Sequence, residues 1–254
     1  GLTGIDLSCY KEKQMKRRID SLIRKNGING YDSYVANLRA SRLMLDEFLN
    51  HITINFSEFF RNPDQWNILK EDVMPVILKK EKPVRIWSTA CSMGEEPYSI
   101  AILLEEYFSS HNALILASDI DNNILERART GKYLERSLKG LPKELFEKYF
   151  IRQDNIFNID DRIKKRVKYI KHDLLKDACP GIFDLIVCRN VLIYFTEEAK
   201  KNIYVKFNKA LRDGGFLFIG NTEQILFPQK YGFKSVRTFI YCKETNCNGI
   251  DSMY

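Results

Sequence analysis

Apolar residues recur at helical spacing through the first ~80 positions of the chain and in short continuous runs after that. In residues 11–25, KEKQMKRRIDSLIRK, the side chains Met15, Ile19, Leu22 and Ile23 form one apolar stripe, the mark of an amphipathic helix. Its opposite face is basic, with Lys11, Lys13, Lys16, Arg17, Arg18 and Arg24. The pattern predicts a second helix through YDSYVANLRA, ending near Ser41, and a third from Leu43 to about His51. Asn62-Pro63 breaks the chain, and DQWNILKEDVMPVILKK begins another helix. At Pro83 the pattern changes. Short apolar runs, VRIWS (84–88), ALILASD (113–119), VKYIKHD (167–173), FDLIVCRN (183–190), FLFIGNT (216–222) and VRTFIYCK (236–243), read as strands. Helical stretches separate them: GEEPYSIAILLEEYF, IDNNILERART closed by Gly131, a patch at PKELFEKYF, and TEEAKKNIYVKFNKAL before a turn at Gly214-Gly215. Strands alternating with helices predict an α/β fold with a mostly parallel sheet.

In such sheets ligands bind beyond the carboxyl ends of the strands. The residues just after each strand run are polar: Ser88-Thr89, Asp119, Asp173, Arg189-Asn190 and Asn221-Thr222-Glu223. The first strand-to-helix turn, WSTACSMGEEPYS, is built of small residues and Gly94, which lets a ligand approach the backbone. It is not a GxGxxG dinucleotide turn, and the Glu95-Glu96 pair would repel a pyrophosphate. A cationic sulfonium ligand suits carboxylates there, although the same pair would equally favour a helix N-terminus. Asp119 can accept ribose hydroxyls, and Asp121 suits a helix N-cap. ITINFSEFFR (52–61) precedes the sheet and mixes aromatics with Asn55, Ser57 and Arg61.

The chain has 254 residues, 44% of them hydrophobic, enough for a buried core in one large domain or a main domain with a small companion. A formal charge of +7 suggests an anionic partner without choosing among nucleic acid, membrane surface and acidic protein. No apolar run approaches the ~20 residues that span a bilayer, and the N-terminus lacks the apolar segment of a signal peptide. Six cysteines without CxxC spacing and three histidines predict no metal site, reduced thiols and a cytoplasmic protein.

Five ordered segments, NFSEFFRNPDQW (55–66), RIWSTACSMGEEPYSIA (85–101), ASDID (117–121), FDLIVCRNVLIYF (183–195) and GGFLFIGNTEQI (214–225), resemble the CheR family of chemotaxis receptor methyltransferases. The resemblance runs from about Leu7 to Lys243. It implies a small all-helical N-terminal domain with its linker (1–80) and a Rossmann-like methyltransferase domain (81–254). It also implies a small antiparallel β-subdomain inserted at about 151–171. The implied cofactor is S-adenosylmethionine. By motif match Asn55, Ser57 and Arg61 resemble cofactor-site residues of the linker, with Arg61 at the catalytic centre. Glu96 looks like a cofactor ligand near the methionine moiety, Asp119 the ribose ligand, and Asp173-Leu174 the adenine-side pair. Arg189-Asn190 looks like a further cofactor contact, and Tyr194 resembles the active-site tyrosine. Ser57 stands where many members have Thr, and Met93 replaces the usual Thr of the turn.

The implied reaction is methyl transfer to receptor glutamates, giving γ-methyl esters for sensory adaptation. Lys13, Lys16 and Arg17 are then candidates for docking acidic receptor helices. A nucleic-acid methyltransferase is disfavoured, because RNVLIY (189–194) lacks the Asn/Asp-Pro-Pro-aromatic pattern of amino-methylating enzymes and no platform for stacking bases is evident. A non-catalytic sensor is disfavoured because Arg61 and Tyr194 are both present. A monomer is the default expectation.

Overall fold

The structure, a computed structural model, describes residues 2–53, 57–79, 83–109 and 111–244. Among them three helices come first, α1 (Glu12–Lys25), α2 (Tyr31–Ala40) and α3 (Arg42–Ile52). Their inward stripes, including Met15, Leu22, Tyr34, Leu38 and Phe48, form a core of their own. Glu12 in the first turn of α1 and Arg24 and Lys25 in its last suit the helix dipole. Ser41 caps α3, its Oγ accepting from the Met44 N–H at 3.3 Å.

After the linker, α4 (Pro63–Ile68) passes through a π-type turn at Leu69–Val73 into α5 (Met74–Leu78). Pro75 gives the reason. It has no N–H to donate and its ring clashes with a carbonyl one turn back, so the ladder widens just ahead of it. Trp66, Leu69, Val73, Met74 and Ile77 of this segment are buried in the same core as one face of the large sheet.

The strands are β1 (Val84–Ser88), β2 (Ala113–Asp119), β3 (Lys132–Tyr133), β4 (Phe150–Gln153), β5 (Ile156–Ile159), β6 (Val167–Lys171), β7 (Phe183–Cys188), β8 (Leu211–Ile219), β9 (Phe233–Arg237) and β10 (Ile240–Lys243). Between them lie α6 (Glu95–Tyr107), α7 (Asn122–Thr130), α8 (Lys143–Tyr149), α9 (Asp161–Lys164) and α10 (Glu197–Ala210). The large sheet has the order β6-β2-β1-β7-β8-β10-β9. Its pairings are parallel from β6 through β8 and antiparallel from β8 to β9. This is the α/β, Rossmann-like arrangement that the alternation predicts. β1 and β7 are central and covered on both faces, which is why they read as almost unbroken apolar runs. Asp184 is the exception inside β7. Its Oδ2 accepts from the Arg85 N–H at 2.9 Å and from Arg212 Nη1 at 2.8 Å.

A small antiparallel sheet, β3-β5-β4, sits against α6 and α7. Its first strand, Lys132–Tyr133, lies ahead of the 151–171 stretch, and Val167–Lys171 belongs to the large sheet instead. Gly131 ends α7 at φ 63°, and a Cβ there would come within 2.5 Å of Ile159 Cγ2. Glycine thus lets the small sheet close onto the helix end.

Two other expectations are corrected. Residues 236–243 are not one strand: a turn at Thr238 and Phe239, with Phe239 at φ 64°, folds the run into the β9–β10 hairpin. The strand expected at 216–222 begins at Leu211, before the Gly214-Gly215 turn. Its pairing with β7 jumps from Phe183↔Leu211 to Leu185↔Phe216, so a bulge absorbs the glycines.

Candidate active site

The strand order reverses between β1 and β7, and a cleft opens there beyond their carboxyl ends. Ser57, Arg61, Glu96, Asp119, Asp173, Leu174, Arg189, Asn190 and Tyr194 all line this one cleft. Asn55 lies outside the described residues. Lys13, Lys16 and Arg17 are exposed on α1, outside the cleft lining. That helix starts beside the cleft, because the Lys11 N–H donates to the Tyr194 carbonyl at 2.8 Å. Arg18, on the basic face in the sequence, turns inward and donates to the His51 carbonyl.

The turn after β1 is held in an uncommon conformation. Ala90 and Ser92 have φ 50° and 51°, and Gly94 has φ 92°. Left-handed backbone at non-glycine residues is strained and persists only when the surroundings fix it. Here the Cys91 N–H donates to the Ser118 carbonyl at 2.8 Å, and the Ser92 N–H donates to Asp119 Oδ2 at 3.0 Å. Gly94 has no room for a side chain, since a Cβ would meet the Tyr169 hydroxyl at 2.7 Å. Met93, which replaces a hydroxyl residue, packs its side chain against the core and is not part of the cleft lining.

Two carboxyl groups in the cleft wall are pushed upward by burial. Glu96 reaches about 7, opposed by the Arg189 charge and by the Ser88 hydroxyl, which donates to Glu96 Oε1 at 2.7 Å. Asp119 reaches about 6; its Oδ1 also accepts from the Asp121 N–H at 3.1 Å. Glu95 is raised further, to about 8, again chiefly by burial; it lies beside Ser57 and Glu58 of the linker and does not itself line the cleft. The buried hydroxyls of Thr89 and Ser92 line the cleft and make no hydrogen bond among the described residues. Buried carboxyls held near neutrality gain from a cationic ligand, and free hydroxyls await a polar one. The residues present therefore fit a sulfonium nucleoside.

At the end of β7, the Arg189 guanidinium reaches away from the turn to the linker. Its Nη2 donates to the Arg61 carbonyl at 2.7 Å, Gln65 Oε1 at 2.9 Å and Asn62 Oδ1 at 3.1 Å. Asn190 has φ 63°, and its N–H donates to Glu223 Oε2 at 2.7 Å. Glu223 also accepts from the Gly220 N–H at 2.8 Å and, through Oε1, from the Ile193 N–H at 3.2 Å. It thereby ties the loop carrying Tyr194 to the end of β8. The polar run after that strand signalled Glu223 in the sequence, but not this task. Tyr10 also lines the cleft, and no motif marked it; Ile52, Thr53 and Glu58 line it too, inside the 52–61 segment but not singled out there.

Comparison with known proteins gives the family. Residues 55–242 match the family model described as CheR methyltransferase, SAM binding domain, and residues 1–53 match CheR methyltransferase, all-alpha domain. A chemotaxis protein methyltransferase of Listeria innocua is 45% identical over 94% of this chain and 92% of its own length. The Borreliella burgdorferi protein of that name is 37% identical over 87% and 83%, and the Salmonella typhimurium one 33% identical over 87% and 78%. The chain belongs to the CheR family of chemotaxis protein methyltransferases, and its cofactor is S-adenosylmethionine.

Proposed function

We propose that the protein methylates glutamate side chains on acidic cytoplasmic helices of chemoreceptors, acting as a cytoplasmic monomer. The observation that carries this reading is the placing of Arg61 and Tyr194 in the same cleft as Glu96 and Asp119, with the basic face of α1 starting beside Tyr194. The bound cofactor supplies an electrophilic methyl group on a positively charged sulfur. A glutamate carboxylate, with an ordinary pKa near ~4.3, is already ionised at neutral pH. No side chain need take a proton; His172, which lines the cleft, has its Nε2 3.1 Å from the Ala178 carbonyl. Arg61 orients the incoming carboxylate, a task for which a planar guanidinium is better shaped than an ammonium. Tyr194, half-buried, with its phenol raised by burial, keeps its proton and bounds the same space. Glu96 holds the methionine end of the cofactor, Asp119 the ribose, and Asp173 with Leu174 the adenine side. Lys13, Lys16 and Arg17 steer the acidic helix to the mouth.

The test is transfer of labelled methyl from S-adenosylmethionine to chemoreceptor cytoplasmic domains. Base-labile label on the receptor is expected, at a rate that falls with ionic strength. Cofactor binding with no label on any receptor would remove this substrate.

The buried carboxyls also set a pH dependence. In the free protein Glu96 and Asp119 take up protons below about 7 and about 6. A bound cation favours their ionised forms and lowers both values. Affinity for S-adenosylmethionine is thus full above pH 7 and falls as the pH drops, at a limiting slope of about tenfold per pH unit for each group titrating. Unliganded stability runs the other way. Because burial raises these carboxyls in the folded state, their contribution is largest at low pH and is lost as the pH rises through 6 to 7. Calorimetric titration at pH 8 and 5.5 reads the binding effect, and Glu96→Gln should flatten it. Equal affinity at the two pH values in the unmutated protein contradicts the assignment.

A further inference from the structure

Tyr10 belongs to the helical domain, yet it lines the cofactor cleft. It sits between a short turn at Leu7–Cys9 and the start of α1. A strip of backbone fixes it in place. Tyr10 and Phe195 form an antiparallel bridge, the Thr196 N–H donates to the Cys9 carbonyl at 2.8 Å, and the Lys11 N–H donates to the Tyr194 carbonyl at 2.8 Å. The Tyr10 ring meets Phe195 edge-on, with centroids 5.0 Å apart at 74°. It packs against the helical-domain core and against the sheet core on the α10 side. Asp173 and Asp119, the two carboxylates assigned to the nucleoside, act on its phenol. After burial they are the next largest causes that push it upward, so the hydroxyl remains a donor at any working pH.

We propose that Tyr10 is a cofactor-binding residue: its ring closes the nucleoside end of the cleft from the helical-domain side, so that the helical domain completes the cofactor pocket as well as facing the substrate. A tyrosine suits this place. It offers a rigid aromatic wall to a purine nucleoside, and a hydroxyl donor beside carboxylates that accept. Ile52 and Thr53, at the end of α3, line the cleft as well, so two separate segments of the helical domain reach the pocket. The same strip that seats Tyr10 holds the Tyr194 carbonyl. Filling the nucleoside end and setting the active-site tyrosine are therefore mechanically joined.

The inference rests on the cleft being the cofactor site, and the test separates the two. The full-length protein and its Tyr10→Ala, Tyr10→Leu and Tyr10→Phe variants are titrated calorimetrically with S-adenosylhomocysteine and with 5′-methylthioadenosine, which lacks the amino-acid end. Tyr10→Ala should weaken both ligands by about tenfold or more, as truncating an aromatic wall against a base does. Tyr10→Phe should stay within about threefold, because the ring remains. Tyr10→Leu keeps apolar packing against Phe195 and guards against an unfolded alanine variant; it should lose affinity as alanine does. Glu96→Gln should weaken S-adenosylhomocysteine and leave methylthioadenosine unchanged, which marks the two ends of the site. A folded Tyr10→Leu with wild-type affinity for both ligands reduces Tyr10 to packing and overturns the proposal. Failure of the unmutated protein to bind either ligand would instead overturn the cleft assignment, and the proposal with it.

Discussion

Arg61→Ala is expected to slow methyl transfer by about a hundredfold, while the affinity for S-adenosylhomocysteine falls by much less. The contrast follows from how residue 61 is held. Its carbonyl accepts from Arg189 Nη2 at 2.7 Å and from Trp66 Nε1 at 3.0 Å. The flanking Phe60 and Asn62 have φ 48° and 60°, and the Phe60 N–H donates to Ser99 Oγ at 3.0 Å. These bonds hold the main chain through groups other than the Arg61 side chain, and the linker is expected to keep them when the guanidinium is removed. The nucleophile loses charge as the ester forms, so a cation that merely neutralised it would slow the reaction. Under the proposed mechanism Arg61 acts through aim: two N–H groups in one plane would hold both carboxylate oxygens and point one at the methyl group. Arg61→Lys should therefore recover little, because an ammonium fixes position and not direction. Single-turnover transfer to receptor fragments, with calorimetry alongside, measures both quantities. Arg61→Ala turning over at the wild-type rate would take Arg61 out of the mechanism.

The cleft lining was legible in the sequence wherever a polar residue sits next to a strand end. Asp119, Asp173, Arg189 and Asn190 each follow an apolar run, and the sheet topology brings those ends together. Glu96 could be told from Glu95 only through resemblance; in the structure the first glutamate of α6 faces the linker and the second faces the cleft. Pairings across the chain left no local trace. Arg189 meets Gln65 over a separation of 124 residues, and Tyr10 meets Phe195 from the far end of the sequence. Short strands fail for a different reason. Lys132–Tyr133 has two residues, too few to show a period of two. The β4–β5 turn uses Asp154 at φ 55° where a glycine would have announced it. Arg189 was read as a cofactor contact. It lines the cleft, but the hydrogen bonds of its guanidinium go to the linker.

Arg189→Met should accordingly destabilise the protein by about 2–3 kcal/mol, as loss of a charged donor that leaves neutral acceptors unpaired does. Nη2 carries two hydrogens and serves three acceptors, so at least one is shared. The guanidinium carbon lies 4.8 Å from the Phe218 ring centroid and 5.6 Å from that of Trp66. Methionine fills that aromatic slot with similar bulk. It takes the Arg189 donor from Asn62 Oδ1 and Gln65 Oε1, leaves the Arg61 carbonyl with Trp66 Nε1, and takes from Glu96 the charge that most opposes its upward shift. Two further results follow. Turnover should fall about as far as in Arg61→Ala, because the unanchored linker no longer aims the guanidinium. The Arg61→Ala/Arg189→Met double variant should be scarcely slower than either single one, since both remove the same alignment. The pH below which cofactor affinity declines should also move upward, because Glu96 becomes harder to ionise. Urea unfolding midpoints, single-turnover rates and calorimetry at several pH values measure the three effects. Losses in turnover that multiply in the double variant would show that Arg189 acts on the reaction by a route other than Arg61.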